Sequence, residues 1–274
     1  MSAVAAPDVL RKIVEQRKRR LASDGTLGTA PDLPAGAARR PSDNAFLAAL
    51  DQKKRQGAPG IIAEIKRGSP RLGFVGDRFD PIEQARLYAE RGAACLSVVV
   101  EPDHFFGSYE LLTACRKASG LPAIAKDFIV DPVQLVHAKE AGASAVLLIA
   151  ALLSVVELEE YAGQARGLGL VPLVETTDPD DLAKVAMAEE GWEIVGVNNR
   201  DLRTFEVSLE RSMTLLPLLP FSAIKVAESG IRRGADVALL MDAGFDGFLV
   251  GESLLLGENP GALLAEMTGA GRLG

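Results

Sequence analysis

The chain has 274 residues but only two histidines, two cysteines and one tryptophan. His104 and His137 lie far apart in sequence, which argues against a histidine-ligated metal site and against a Ser-His-Asp triad. Cys95 and Cys115 show no metal-type spacing and sit in apolar or helical contexts. They read as buried thiols of a reducing compartment. Positive charge is not in excess either: the net charge is −7 and the pI about 5.1. That argues against a general nucleic-acid or membrane-surface binder, while leaving room for a local basic pocket. No apolar run reaches membrane-spanning length, and residues 1–8 lack the charged-then-apolar order of a signal peptide. The expectation is a cytoplasmic protein. No Gly-x-Gly-x-x-Gly follows a strand-like segment, which counts against a doubly wound dinucleotide fold.

Hydrophobic residues make up 48% of the chain, enough for a sizeable core, and the length suits one large domain. Residues 8–22 carry apolar side chains at helical spacing, with Asp8 after Pro7 as a candidate cap. The basic run Arg17–Arg20 reads as a nucleic-acid patch or as a solvated helix face. Without interleaved aromatics the second is favoured. Residues 23–41 shift to Gly, Pro, Ala and Thr, a loop or linker. Ser42 or Asp43 then opens a second helix to about Arg55.

From residue 61 the chain alternates. Strands are predicted at 61–66, 95–100, 122–126, 144–149, 171–175, 194–198, 224–228 and 246–250. Helices are predicted near 81–91, 107–118, 131–140, 154–166, 179–189, 208–217, 231–242 and 260–268. Asp80-Pro81, Asp131-Pro132 and Asp178-Pro179 each place a cap residue before a proline at the first helical position. Eight strand–helix units predict a (β/α)8 TIM barrel at 61–274, with residues 1–60 as a helical extension packed on it.

The strand ends carry the chemistry. In Ile61-Ile62-Ala63-Glu64-Ile65-Lys66, strand alternation puts Ile62, Glu64 and Lys66 on one face and Ile61, Ala63 and Ile65 on the other. Alone, Glu64 and Lys66 could be a structural ion pair. But Lys126 closes Leu121-Pro122-Ala123-Ile124-Ala125, Glu175 closes Val171-Pro172-Leu173-Val174, and Asn198 closes Ile194-Val195-Gly196-Val197. Arg200 lies two residues after Asn198, and Glu228-Ser229 end the seventh strand. Catalytic groups of a barrel sit at these ends. Two lysines and three glutamates in one pocket suit proton transfer. Their mutual fields are expected to bring a lysine down and a glutamate up towards neutrality. Glu228-Ser229-Gly230 and Gly251-Glu252-Ser253 follow strands seven and eight. Small residues there offer backbone N–H groups to a phosphate.

Glu64-Ile65-Lys66-Arg67-Gly68-Ser69-Pro70, Lys126-Asp127-Phe128-Ile129-Val130, Val195-Gly196-Val197-Asn198-Asn199-Arg200-Asp201-Leu202 and Ala227-Glu228-Ser229-Gly230-Ile231 resemble the signature segments of indole-3-glycerol phosphate synthases. The resemblance runs from about residue 8 to about 268. It implies ring closure of 1-(2-carboxyphenylamino)-1-deoxyribulose 5-phosphate with loss of carbon dioxide and water, without metal or organic cofactor. It implies Lys126 as general acid. Lys66 would hold the substrate carboxylate and take part in dehydration, and Glu175 would stabilise positive charge on the ring nitrogen. Glu64 would accept or relay a proton, oriented by Asn198. Arg200 and Glu228 would line the site, and Ser69, Ser229, Gly230, Gly251 and Glu252 would surround the phosphate. Phe105 would pack against the anthranilate ring.

Three positions depart from the family pattern. Arg71 stands where a serine commonly follows Ser-Pro, Ala125 where an arginine is frequent, and Phe106 where glutamine or asparagine is usual. Arg71 is expected to add charge near the phosphate or to close the loop differently, and Phe106 to enlarge the apolar wall. These bear on affinity more than on reaction type. A rival is a sister barrel such as phosphoribosylanthranilate isomerase, but Cys95 begins its strand where that chemistry wants a cysteine at the end. A non-catalytic phosphosugar-binding barrel would not need the full acid–base set. The partner expected is a small phosphorylated substrate, and the expected state a monomer, with a weak homodimer as the alternative. The first helix is expected to contact the loops near Glu64, so removing residues 1–40 should weaken substrate binding.

Overall fold

A computed structural model describes residues 7–30, 43–189, 191–201 and 206–271. Among them eight parallel strands close a barrel: β1 Gly60–Ile65, β2 Cys95–Val99, β3 Ala123–Lys126, β4 Ala145–Ile149, β5 Val171–Thr176, β6 Ile194–Asn198, β7 Ile224–Glu228 and β8 Gly247–Val250. Each strand pairs with the next in sequence, and β1 closes the ring against β8. Nearly every strand residue is buried, because helices cover the outside and side chains fill the inside.

The period of two divides the core. Ile61, Ala63 and Ile65 pack outward among the helices, with Leu96, Val98, Val195 and Val197. Ile62 faces the interior with Cys95, Ile124, Leu147, Leu173, Ile194, Val226 and Leu249. Glu64, Lys126, Glu175, Asn198 and Glu228 continue the inward rows towards the C-terminal end of the barrel.

Eleven helices are described: α1 Pro7–Ser23, α2 Ala45–Arg55, α3 Pro81–Glu90, α4 Tyr109–Ser119, α5 Val133–Glu140, α6 Val155–Gly167, α7 Pro179–Met187, α8 Glu210–Leu215, α9 Gly234–Ala243, α10 Glu252–Leu256 and α11 Pro260–Thr268. The strand–helix order matches the expectation, with ends shifted by at most three residues. Helix α5 starts later than expected. Pro132 precedes it, and Asp131 accepts instead from Val133 N at 2.9 Å and from Gly28 N at 3.0 Å. Helix α10 went unpredicted, as did a two-residue ladder between Gly68–Ser69 and Gly73–Phe74. Both are too short to leave a periodic signature.

The two N-terminal helices serve opposite ends of the barrel. Helix α2 plugs the bottom. Its cap residue Asn44 accepts from Phe46 N and Leu47 N, and donates to the carbonyls of Ser144 and Gly169, which precede β4 and β5. Phe46 and Leu50 are fully buried against the interior row, stabilising the fold by about 2 kcal/mol each. Ser42 and the linker over 31–42 lie outside the described residues.

Helix α1 corrects one expectation. Arg17 is 4% exposed and makes a bidentate pair with Asp127, at 3.1 and 2.6 Å. Arg20 pairs with Asp103. Lys18 and Arg19 of the basic run are exposed, and Arg20 is half-buried. Ile13, Arg17 and Leu21 recur every four residues and share the buried face. The described ion pairs from α1 to the barrel reach the loops after β2 and β3, and Asp127 directly follows Lys126, whose Nζ lies 3.3 Å from Glu64 Oε2.

Candidate active site

The strand-end residues meet around one carboxylate. Glu64 is 6% exposed. Lys66 Nζ donates to its Oε1 at 2.7 Å, and Lys126 Nζ lies 3.3 Å from its Oε2. Lys126 also lies 3.3 Å from Oε2 of Glu228, which is fully buried. Glu175, 3% exposed, sits on β5 beside Gly196 of β6, and Glu228 sits on β7 beside Asn198. A methyl group at Gly196 would overlap Oε1 of Glu228. The missing side chain lets Glu228 lean across β6 towards Glu175. Its Oε1 has no hydrogen-bond donor among the described residues.

This packing separates the carboxyls. Burial pushes Glu64 up, but Lys66 and Lys126 outweigh it and hold it down at about 2. Burial pushes Glu228 up to about 8; Lys126 opposes this, and Glu175 adds to it. Glu228 is therefore set to carry a proton at neutral pH while Glu64 stays ionised. Burial pulls Lys126 down, yet Glu64, Glu228 and Glu175 together raise it above its ordinary value. The expected downward shift of a lysine does not occur at Lys126, because three carboxyls surround it.

One wall is aromatic. Phe105 lies 5.9 Å from Phe128, ring centre to ring centre. The buried Glu101 carboxylate places Phe105 by accepting from the backbone N–H groups of Asp103, His104 and Phe105, at 2.8 to 3.0 Å. Phe106 is 36% exposed. With φ of 58° it packs edge-to-face on Phe74 of the loop after β1. Ala125 is buried in the outer core. Cys95 opens β2 at the bottom, its thiol near the Phe46 carbonyl, away from the strand ends.

At the ends of β7 and β8 the backbone takes unusual shapes. Ser229 and Gly230 are consecutive left-handed residues, with φ of 65° and 79°. Buried Asn199 braces them, donating to the Ser229 carbonyl at 3.1 Å and accepting from Ser212 N and Oγ. Ser253 Oγ donates to the Ile231 carbonyl at 2.8 Å, tying the two loops together. Ser69 Oγ accepts from Leu72 N. Arg71 and Arg200 both pair with Glu252, at 2.6 and 3.2 Å. Cavities of about 490 Å³ beside Gly230, Arg232 and Arg233, and about 190 Å³ beside Glu64 and Lys66, open next to these groups. No group of three or more His, Cys, Asp or Glu side chains placed to hold a metal occurs among the described residues.

Glu101, Asp127, Asn199 and Arg17 escaped the sequence reading as site-shaping residues. Glu101 follows Val98-Val99-Val100, so a carboxylate closing an apolar strand was the signal available. Arg17 and Asp127 are 110 positions apart, and no local pattern joins them.

The family model described as indole-3-glycerol phosphate synthase matches residues 10–267. A protein of Bordetella pertussis named indole-3-glycerol phosphate synthase is 39% identical over 261 residues, covering 95% of this chain and 98% of its own. One of Carboxydothermus hydrogenoformans with the same name is 45% identical over 217 residues, covering 79% of this chain and 81% of its own. With the barrel, the strand-end residues and these matches in agreement, the chain belongs to the indole-3-glycerol phosphate synthase family.

Proposed function

We propose that this site closes the pyrrole ring of indole-3-glycerol phosphate in tryptophan biosynthesis. The chain is a carboxy-lyase, and its substrate is 1-(2-carboxyphenylamino)-1-deoxyribulose 5-phosphate. The observation that supports the residue roles best is the Glu64 bridge between Lys66 and Lys126 at 2.7 and 3.3 Å. It holds two ammonium groups side by side, one for each anionic or basic oxygen of the reacting end.

In this reading the substrate ring lies against Phe105, and its carboxylate pairs with Lys66. The ring carbon bearing that carboxylate attacks the ketone carbon of the sugar chain. Lys126 gives its proton to the ketone oxygen as the new carbon–carbon bond forms. The ring nitrogen supplies the electron pair and becomes positive, and Glu175 stabilises that charge. Breaking the bond to the carboxylate releases carbon dioxide and returns the electrons to the ring. The new hydroxyl then leaves as water, protonated by Lys66, while Glu64 takes the proton from the neighbouring carbon. Asn198 orients the hydroxyl, its Oδ1 fixed by Arg200 N at 3.0 Å. Arg200, Ser69 and the loops Ser229-Gly230 and Gly251-Glu252 hold the phosphate, and Glu228 lines the site beside Lys126. The acidic charge balance and the buried thiols support a cytoplasmic location, and the chain is taken to work as a monomer.

The test is turnover followed by indole fluorescence, with Lys126→Ala in parallel. The variant should lose about 10²- to 10⁴-fold in kcat. Turnover surviving in the variant would move the acid to Lys66. No turnover from folded parent protein would overturn the roles altogether.

A further inference from the structure

Arg71 and Arg200 converge on one carboxylate, Glu252, from different loops. Arg71 Nη2 reaches Oε1 at 2.6 Å from the loop after β1, and Arg200 Nη2 reaches Oε2 at 3.2 Å from the end of β6. Two guanidinium groups on two oxygens of one anion is the geometry with which arginines grip a phosphate. The Glu252 side chain is 38% exposed and that of Arg71 55% exposed. Solvent-exposed ion pairs of this kind contribute little, so a stronger anion can exchange with the carboxylate at little cost. The location matters as much as the geometry. Glu252 follows Gly251 directly, Ser69 is two residues before Arg71, and Ser253 is tied to the loop after β7.

We infer that Arg71 is a ligand of the substrate phosphate, aligned in advance by Glu252, which gives up Arg71 and Arg200 when the phosphate arrives. This rests on the assignment of the phosphate to the loops after β1, β7 and β8. Glu252 plays a double part. It aligns two long side chains in advance, which lowers the ordering cost of binding. It also competes with the phosphate for them, so its charge sets affinity. A serine at position 71, the commoner residue in the family pattern, could reach neither Glu252 nor a phosphate in the same place.

The experiment uses the full chain and inorganic phosphate as the probe, measured as a competitive inhibitor of turnover. Arg71→Ser should raise the inhibition constant for phosphate and KM together by about tenfold, the loss of one charge-assisted hydrogen bond, with a much smaller change in kcat. Glu252→Gln should shift both constants the other way. An unchanged phosphate inhibition constant in Arg71→Ser, or a fall in kcat alone, would overturn the inference while leaving the loops as the phosphate site. Turnover by the parent with no competition from phosphate would overturn the loop assignment itself, and the inference with it.

Discussion

Gly251 leaves the space that the Glu64 carboxylate occupies: a methyl group on its Cα would overlap Glu64 Oε1 and come within 3.1 Å of Lys66 Nζ. Glycine at this position thus has a packing reason besides any contact with phosphate. It lets the end of β8 close on the ion pair at the end of β1.

Gly251→Ala should therefore damage catalysis more than folding. Overpacking of this kind costs about 1–3 kcal/mol. Displacing Lys66 and Glu64 by a fraction of an ångström should lower kcat/KM by about 10²-fold. Steady-state kinetics beside a thermal melt checks this, and a variant with parent-like kcat/KM would refute the packing argument.

The Arg17–Asp127 pair should be asymmetric under mutation. Asp127→Ala strands a guanidinium that is 4% exposed, at a cost of about 3–5 kcal/mol. Arg17→Met leaves Asp127 with Tyr109 Oη at 3.2 Å, Gln134 Nε2 at 2.9 Å and Phe128 N at 2.9 Å, so it should cost less. Urea unfolding of both variants measures the difference. Equal losses would mean that the other three donors do not compensate.

Glu228 and Glu64 should show opposite pH dependence. The folded Glu228 carboxyl sits near 8 against an ordinary 4.5. Between those values the unfolded chain binds fewer protons than the folded one, so this group's contribution falls as pH rises. Glu228→Gln should gain stability relative to the parent from pH 5 to pH 8, while losing activity. Glu64, held near 2, contributes stability fully above 4.5 and loses it as pH falls towards 2. Glu64→Gln should be most destabilised at neutral pH and approach the parent in acid. Denaturant midpoints across pH give both slopes, and parallel curves for the two variants would contradict the opposed environments.

Most of the candidate site's placement at the strand ends was legible in the sequence. Glu64, Lys66, Lys126, Glu175 and Asn198 each end an apolar strand, and a strand's period of two puts such residues on the inward row. Their protonation was not legible. The sign of the shift at Lys126 depends on how many carboxyls lie within a few ångströms, which only the closed ring decides. Arg17 looked solvated as part of a basic run, although Ile13 and Leu21 share its helix face.

By itself the sequence determined the order of strands and helices, their inward and outward faces, and the chemistry that the strand ends present. These follow from local backbone geometry and the burial of apolar side chains, both written into short windows. The tertiary structure decided which end of the barrel each N-terminal helix serves, that Arg17 is buried on Asp127 and Arg71 paired with Glu252, and that Glu228 leans over Gly196. Those are contacts between segments distant along the chain. Their strength depends on distance and desolvation, quantities that no local pattern contains.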